Sequence, residues 1–266
     1  MINHEIDYRI LGEEMQCVEI ELDPEETAIA EAGSFMMMDQ DIKMETIFGD
    51  GSASGGSGGF MGKLLSAGKR MLTGESLFMT AFTNHGRGKQ RVLFAAPYPG
   101  KIIALDLQKL GGKIIAQKDS FLAAAKGVSV GIEFQRKLGT GLFGGEGFIM
   151  QKLEGDGMAF VHAGGHVIER QLQAGELLRI DTGCIVAFTK DVHYDIEFVK
   201  GVKNMIFGGE GMFYAVLRGP GKVWIQTIPI SRLASRIMQY GGAAGGRKEE
   251  GSILGGIGNM LDGDGW

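Results

Sequence analysis

Apolar and polar positions alternate along most of this chain in short runs, the period of a strand with one face buried. "QCVEIEL" (16–22), "KIIALDL" (101–107) and "HVIERQL" (166–172) are of this kind; each leads through a polar or glycine-containing turn to a second apolar run. "GFIMQKLEGDGMAFVHAG" (147–164) and "GMFYAVLRGPGKVWIQTI" (211–228) read as hairpins, with Pro220 at a tip. Proline lacks the N–H that a central strand must donate, so a tip suits it. The pattern predicts an all-β fold of sandwich or closed barrel-like units.

Two segments break the alternation. "GDGSASGGSGGFMGKLLSAGKRMLTG" (49–74) is a glycine/serine-rich insertion leading into a short helix, with Phe60, Met61, Leu64 and Leu65 on one face. "SRLASRIM" (231–238) predicts a second helix with Ser231 near its N-cap and Leu233, Ile237 and Met238 together. Ten glycines among the last 26 residues predict a mobile tail over 241–266.

The runs also repeat. With a shift of 64, residues 121–148 match residues 185–212 at eleven of 28 positions, including Ala123/Ala187, Lys126/Lys190, Ile132/Ile196 and Phe134/Phe198. Both copies hold "FGGEG", at 143–147 and 207–211, and "LTGES" at 72–76 is a degraded third form. A shift of 86 pairs Phe35 with Phe121 and Phe48 with Phe134, and Phe94, Phe160 and Trp224 fall at comparable places in the return strands. The expected organisation is a first unit over 1–100 carrying the 49–74 insertion, a second over 101–164 and a third over 165–230. A helix over 231–240 and the tail follow.

Glu75, Glu146 and Glu210 stand in the three glycine-flanked frames. Joint catalysis would need His, Lys or Asp at matched spacing in all three copies, and none occurs. The glutamates read as structural corners accepting backbone N–H bonds, with ligand binding the alternative. Replacing Glu146 or Glu210 by Ala is expected to cost about 1–3 kcal/mol by leaving donors unpaired; urea titration measures it, and unchanged stability in both variants would favour the ligand role.

Composition narrows the classes. With 27 Lys plus Arg against 32 Asp plus Glu, the net charge of −5 disfavours a general polyanion binder and gives no reason to expect DNA. Cys17 and Cys184 lie in strand-like runs without neighbouring His or Cys, so packing is expected, in a reducing compartment. The start "MINHEIDYRI" has neither basic nor apolar leader character, and no apolar run approaches a membrane span, so cytoplasmic residence is expected. "SGGFMGKL" (57–64) lacks the first glycine and the final hydroxyl of a phosphate-binding loop. No cofactor is expected.

His162 and His166 in "HAGGH" lack the further ligands a metal site requires, and the remaining histidines show no ligand spacing, so no metal is expected. Lys89, Arg91, Arg136 and Lys137 form a possible basic contact face, which could track RNA if repeated around a ring; the absence of interleaved aromatics argues against it. "MMM" (36–38) reads as strand core. The 60–72 helix could dock a protein partner or a membrane surface.

"YRILGEEMQCVEIELDPEETAIAEAGSFMMM", "FAAPYPGKIIALDL" and "DTGCIVAFTKDVHYDIEFVKG", with the "FGGEG" hairpins, resemble the bacterial branch of the family named for altered inheritance of mitochondria protein 24. The resemblance implies a fold like the tryptophan RNA-binding attenuation protein: short double-stranded β-helix units that associate into rings, here a homotrimer. It offers no established enzymatic activity. The leading expectation is a non-enzymatic, ring-forming scaffold or assembly protein. A small-molecule-binding or enzymatic protein with a site at a subunit junction is the first alternative, marked by convergent polar groups in one pocket. An RNA-binding ring is the second, marked by a continuous Lys/Arg stripe.

Overall fold

The computed structural model describes residues 4–31, 33–48, 78–136, 148–198 and 213–241. Strands β1 (Asp7–Leu11), β2 (Cys17–Leu22), β3 (Thr27–Glu31), β4 (Phe35–Met38), β5 (Ile42–Phe48), β6 (Phe78–Asn84) and β7 (Gln90–Ala95) come first. Then follow β8 (Gly100–Asp106), β9 (Lys113–Gln117), β10 (Phe121–Ala125), β11 (Ser129–Arg136), β12 (Phe148–Glu154) and β13 (Met158–Gly164). The last set is β14 (Val167–Leu172), β15 (Leu177–Asp181), β16 (Ile185–Thr189), β17 (His193–Phe198), β18 (Phe213–Arg218) and β19 (Gly221–Gln226).

One antiparallel pairing scheme occurs three times. β7 lies between β2 and β4, β13 between β8 and β10, and β19 between β14 and β16. Likewise β6 lies between β3 and β5, β12 between β9 and β11, and β18 between β15 and β17. A bulge falls at the same place each time, between Phe35 and Met37, Phe121 and Ala123, and Ile185 and Ala187. After it Ala123 faces Phe160 and Ala187 faces Trp224, but Met37 faces Leu93. The aromatic Phe94 therefore stands one position away from the place of Phe160 and Trp224.

Neighbouring sets are joined edge to edge. β3 pairs with β10, and β9 pairs with β16, producing two six-stranded sheets. Cores lie on both faces of these sheets, which is why their inner strands read as unbroken apolar runs. Ala28, Ala30, Ala123 and Ala125 face one core, with Phe82, Phe94 and Phe160. Ile29 and Ala124 face the next, with Leu105, Leu153 and Trp224. Across the second six-stranded sheet, Ile115 and Phe188 turn to a third core, with Phe148 and Leu217.

Turns repeat as well. In the β2–β3 turn the Glu26 carboxylate accepts the Asp23 N–H at 2.8 Å, and in the β14–β15 turn Glu176 accepts from Gln173 at 2.9 Å. The residue before each glutamate has positive φ, 67° at Glu25 and 80° at Gly175. These are glutamate corners of the kind expected at Glu75, Glu146 and Glu210, which lie outside the described residues. So do the whole of the 49–74 insertion and the tail beyond 241.

The C-terminal unit begins after Ile230. Helix α1 (Ile230–Gly241) starts one residue before Ser231, placing that serine in the first turn and not at the cap. Leu233 is half-buried, whereas Ile237, Met238 and Tyr240 are exposed.

Candidate functional site

Two features of the β body are open to partners or ligands: a pair of strand edges unpaired among the described residues, and a cavity of mixed lining. The edges follow directly from the pairing scheme. Among the described residues, β15 occupies the place of β3 and β9 but has no β10-like or β16-like neighbour, and β4 occupies the place of β10 and β16 but has no β3-like or β9-like neighbour. Their counterparts inside the chain are almost wholly buried, yet Phe35, Met36 and Met37 are 41%, 55% and 49% exposed, and Leu177 is 45% exposed. Methionines 36 and 37 are thus not core, contrary to the sequence reading: β4 is an apolar edge strand.

The expected basic face is a mixed one. Lys89, just before β7, donates to Asp7 at 3.0 Å and Glu21 at 2.8 Å, and Arg91 donates to Glu21 at 3.2 Å. These bonds raise the Lys89 ammonium and hold Glu21 below the usual carboxylate range. Arg9 donates to Glu19 at 2.7 Å on the same sheet. Arg136 ends β11 opposite Phe148, and Lys137 lies outside the described residues. The residues proposed for a docking helix, 60–72, lie outside them too.

The cavity, about 470 Å³, opens where the first and second pairing sets meet. Glu31 at the end of β3 and Asp119 in the turn before β10 bring two carboxyl groups to it. Burial, reinforced by Asp119 and opposed by Lys118, pushes the Glu31 carboxyl up to about 7. Tyr98 and His162 form the far wall, their rings edge-to-face with centroids 4.3 Å apart. His162 is 1% exposed, and neither ring nitrogen has a hydrogen-bond partner. Burial holds its imidazole down at about 4; the nearby Tyr98 backbone favours the protonated ring weakly without a well-formed bond. Phe121 and Leu122 supply apolar lining.

Comparison between copies shows how unusual this set is. Gln117 and Asp181 end β9 and β15 where Glu31 ends β3, and Gln226 on β19 stands where His162 stands on β13. Gln226 is fully engaged: its amide oxygen accepts from Gly164 N–H and its nitrogen donates to the Gly183 carbonyl, both at 2.8 Å. At the His162 position the corresponding Gly100 N–H goes instead to the Glu14 carbonyl, at 2.8 Å. A second cavity of about 410 Å³ is lined by Glu133, Lys190 and His193, but Glu133 is already held by Lys113 at 2.9 Å.

Opposite pH dependences follow. A buried carboxyl that protonates near 7, against 4.5 when exposed, favours folding below 4.5, and that contribution is lost as pH rises to 7. An imidazole held near 4, against 6.5, contributes above 6.5 and loses it as pH falls to 4. Glu31→Gln should therefore gain melting temperature relative to the parent as pH rises through this window, and His162→Gln should gain as pH falls. Melting curves across pH check both, and parallel profiles would refute the assignment.

His166 is exposed while His162 is interior, and among the described residues no group of three or more His, Cys, Asp or Glu can hold a metal ion. Neither Cys17 nor Cys184 is in a disulfide among the described residues. No described helix is long and apolar enough to cross a membrane. Sequence reasoning weighed His162 only as a metal ligand, set it aside, and missed Glu31, Tyr98 and Asp119, which are separated from it by whole strands. The usable signal was a carboxylate, Glu31, at the end of an otherwise apolar strand.

The family model described as mitochondrial biogenesis AIM24 matches residues 8–228. An uncharacterised protein of Streptococcus pyogenes is 30% identical over 226 residues, covering 84% of this chain and 86% of the relative. An X-ray crystal structure of a protein from Streptococcus pyogenes aligns with a TM-score of 0.68 at 25% identity, covering 89% of this chain and 100% of that one.

Proposed function

The chain belongs to the mitochondrial biogenesis AIM24 family, and from that premise we propose that it is a non-enzymatic subunit of a closed homotrimeric ring, a scaffold whose product is the surface it presents. Each pairing set is read as a short double-stranded β-helix unit. The observation that carries the proposal is the pair of complementary open edges. One kind of junction is made twice within the chain, as β3–β10 and β9–β16; β15 and β4 are the two halves of a third, each at the edge of its own sheet. An unpaired apolar edge invites pairing with another chain. Because the halves differ, the contact is head-to-tail and closes as a ring or continues as a filament. The family resemblance supplies closure and the number three.

The reading places the protein in the cytoplasm and keeps residues 60–72 as the segment for a protein or membrane-surface partner. RNA binding is less favoured, since Lys89 and Arg91 are bound to carboxylates. Light scattering of the full-length chain tests the ring: a trimer is expected, preserved when residues 241–266 are deleted, and a monomeric full-length chain overturns it.

A further inference from the structure

Within the proposed ring, on which this rests, we infer that Met36 and Met37 form a redox-gated plug. Reduced, they complete the third core of a neighbouring chain; oxidised by a peroxide, they open the ring. Three observations converge on this. The first core takes Leu122 and Ala123 from the second copy, and the second core takes Val186 and Ala187 from the third. The third core receives nothing equivalent among the described residues. On that side Leu178 and Ile180 of β15 are half-buried, whereas the matching Ala28 and Ala30, and Ile114 and Ala116, are fully buried. Lastly, Met36 and Met37 stand at the positions of Leu122–Ala123 and Val186–Ala187, at the same bulge, yet are 55% and 49% exposed.

Side-chain chemistry differs between the two kinds of junction. Those made within the chain are filled by aliphatic residues, which peroxides leave unchanged, whereas the one made between chains is filled by thioethers. Reduced methionine is apolar and flexible and packs into irregular core space, here against Leu178 and Ile180 of the neighbouring chain. Its sulfoxide is polar, and closing the sheet over it would desolvate the new oxygen. Met38 turns the other way, onto the first core of its own chain, and takes no part.

Hydrogen peroxide balances the step. A sulfur lone pair attacks one peroxide oxygen, the O–O bond breaks and an S–O bond forms. The proton on that oxygen passes to the departing oxygen, which leaves as water. Sulfur is oxidised and peroxide reduced. In the single chain both side chains are open to the oxidant. A closed ring covers them, so oxidation acts on chains that have come apart and blocks their return.

Light scattering over a dilution series of the full-length protein, before and after hydrogen peroxide, decides the matter together with peptide mass spectrometry. The parent trimer should weaken at least about tenfold as Met36 and Met37 each gain an oxygen, and methionine sulfoxide reductases should restore it. Met15, 58% exposed, reports the oxidant dose. Met36→Leu with Met37→Leu supplies an aliphatic plug of the kind Leu122 provides within the chain. Whatever the affinity of that variant, its trimer should not respond to peroxide. Met36→Gln with Met37→Gln imitates the polar sulfoxide without oxidant and should assemble at least about tenfold more weakly. Both positions are exposed in the single chain, so this variant should fold, and melting curves establish that it does. A parent trimer that keeps its affinity with both methionines oxidised overturns the inference. So does equal loss in the Leu variant, a Leu variant that fails to assemble, or a Gln variant as tight as the parent. A parent that is monomeric before any peroxide removes the ring and this inference with it; a trimer indifferent to oxidation removes this inference alone.

Discussion

Ile180→Glu is expected to dissolve the proposed trimer and, because Ile180 also packs against the third core, to lower the stability of the chain itself. The two internal junctions fix the register of the missing one. Ala30 faces Ala123 and Ala116 faces Ala187, so Ile180 of β15 should face Met37 of a neighbour's β4. By the same step Arg179 should face Met38 and Leu178 should face Asp39. A carboxylate placed opposite Met37 in a closing sheet would be desolvated without a partner, at a cost of several kcal/mol. Each 1.4 kcal/mol is tenfold in affinity, so the junction should weaken by roughly a thousandfold or more. Light scattering reads the loss. As a positive test, Met37→Cys with Ile180→Cys, in a background without Cys17 and Cys184, should form disulfides between chains; opposed residues of an antiparallel pair bring their Cβ atoms within about 4.5–5.5 Å. Closed three-chain species on a non-reducing gel support the ring. An oligomer untouched by Ile180→Glu, or a disulfide formed within one chain, sinks the junction.

The second large effect is on stability. Gly100 opens β8, opposite Gly164, and donates its N–H to the Glu14 carbonyl at 2.8 Å. A Cβ at Gly100 would lie 2.0 Å from the Ala163 carbonyl oxygen and 2.8 Å from His162 Nε2. The nearer atom is backbone held in a ladder, so relief requires separating β8 from β13. Gly100→Ala should cost about 3 kcal/mol or more, the upper end for overpacking. Gly88→Ala is the control: no atom lies within 4 Å of its added methyl, and the change should stay within about 0.5 kcal/mol. Urea unfolding of the two variants measures the contrast, and equal stabilities would show that the strands separate more easily than their hydrogen bonding implies.

Much of the strand pattern was legible because alternation survives wherever one face is exposed. The hairpins read at 147–164 and 211–228 are β12–β13 and β18–β19. β4 was misread for a physical reason: a methionine run looks the same whether a neighbouring strand covers it or its place stands open. The one-residue offset of Phe94 was hidden because a bulge-bearing strand and its partner can slip by one while keeping an aromatic nearby. The cavity was illegible for a different reason. Glu31, Tyr98, Asp119 and His162 have no spacing in common, and only the β3–β10 pairing brings the first and third together. The Gln226 contrast with His162 needed the register of β13 and β19 before the two could be compared at all.

The bond joining one copy to the next is a matter of covalent convenience, because adjacent copies are already held by the β3–β10 and β9–β16 ladders. A gene could therefore be cut at one inter-copy linker and rejoined at its old ends, a circular permutation, without altering which strands meet. The same reasoning treats copy number as an evolutionary variable. In the proposed ring, duplicating or losing one whole copy would change how many chains complete a circuit while keeping the same kind of ladder at every junction, so a lineage could trade subunits per ring against copies per subunit.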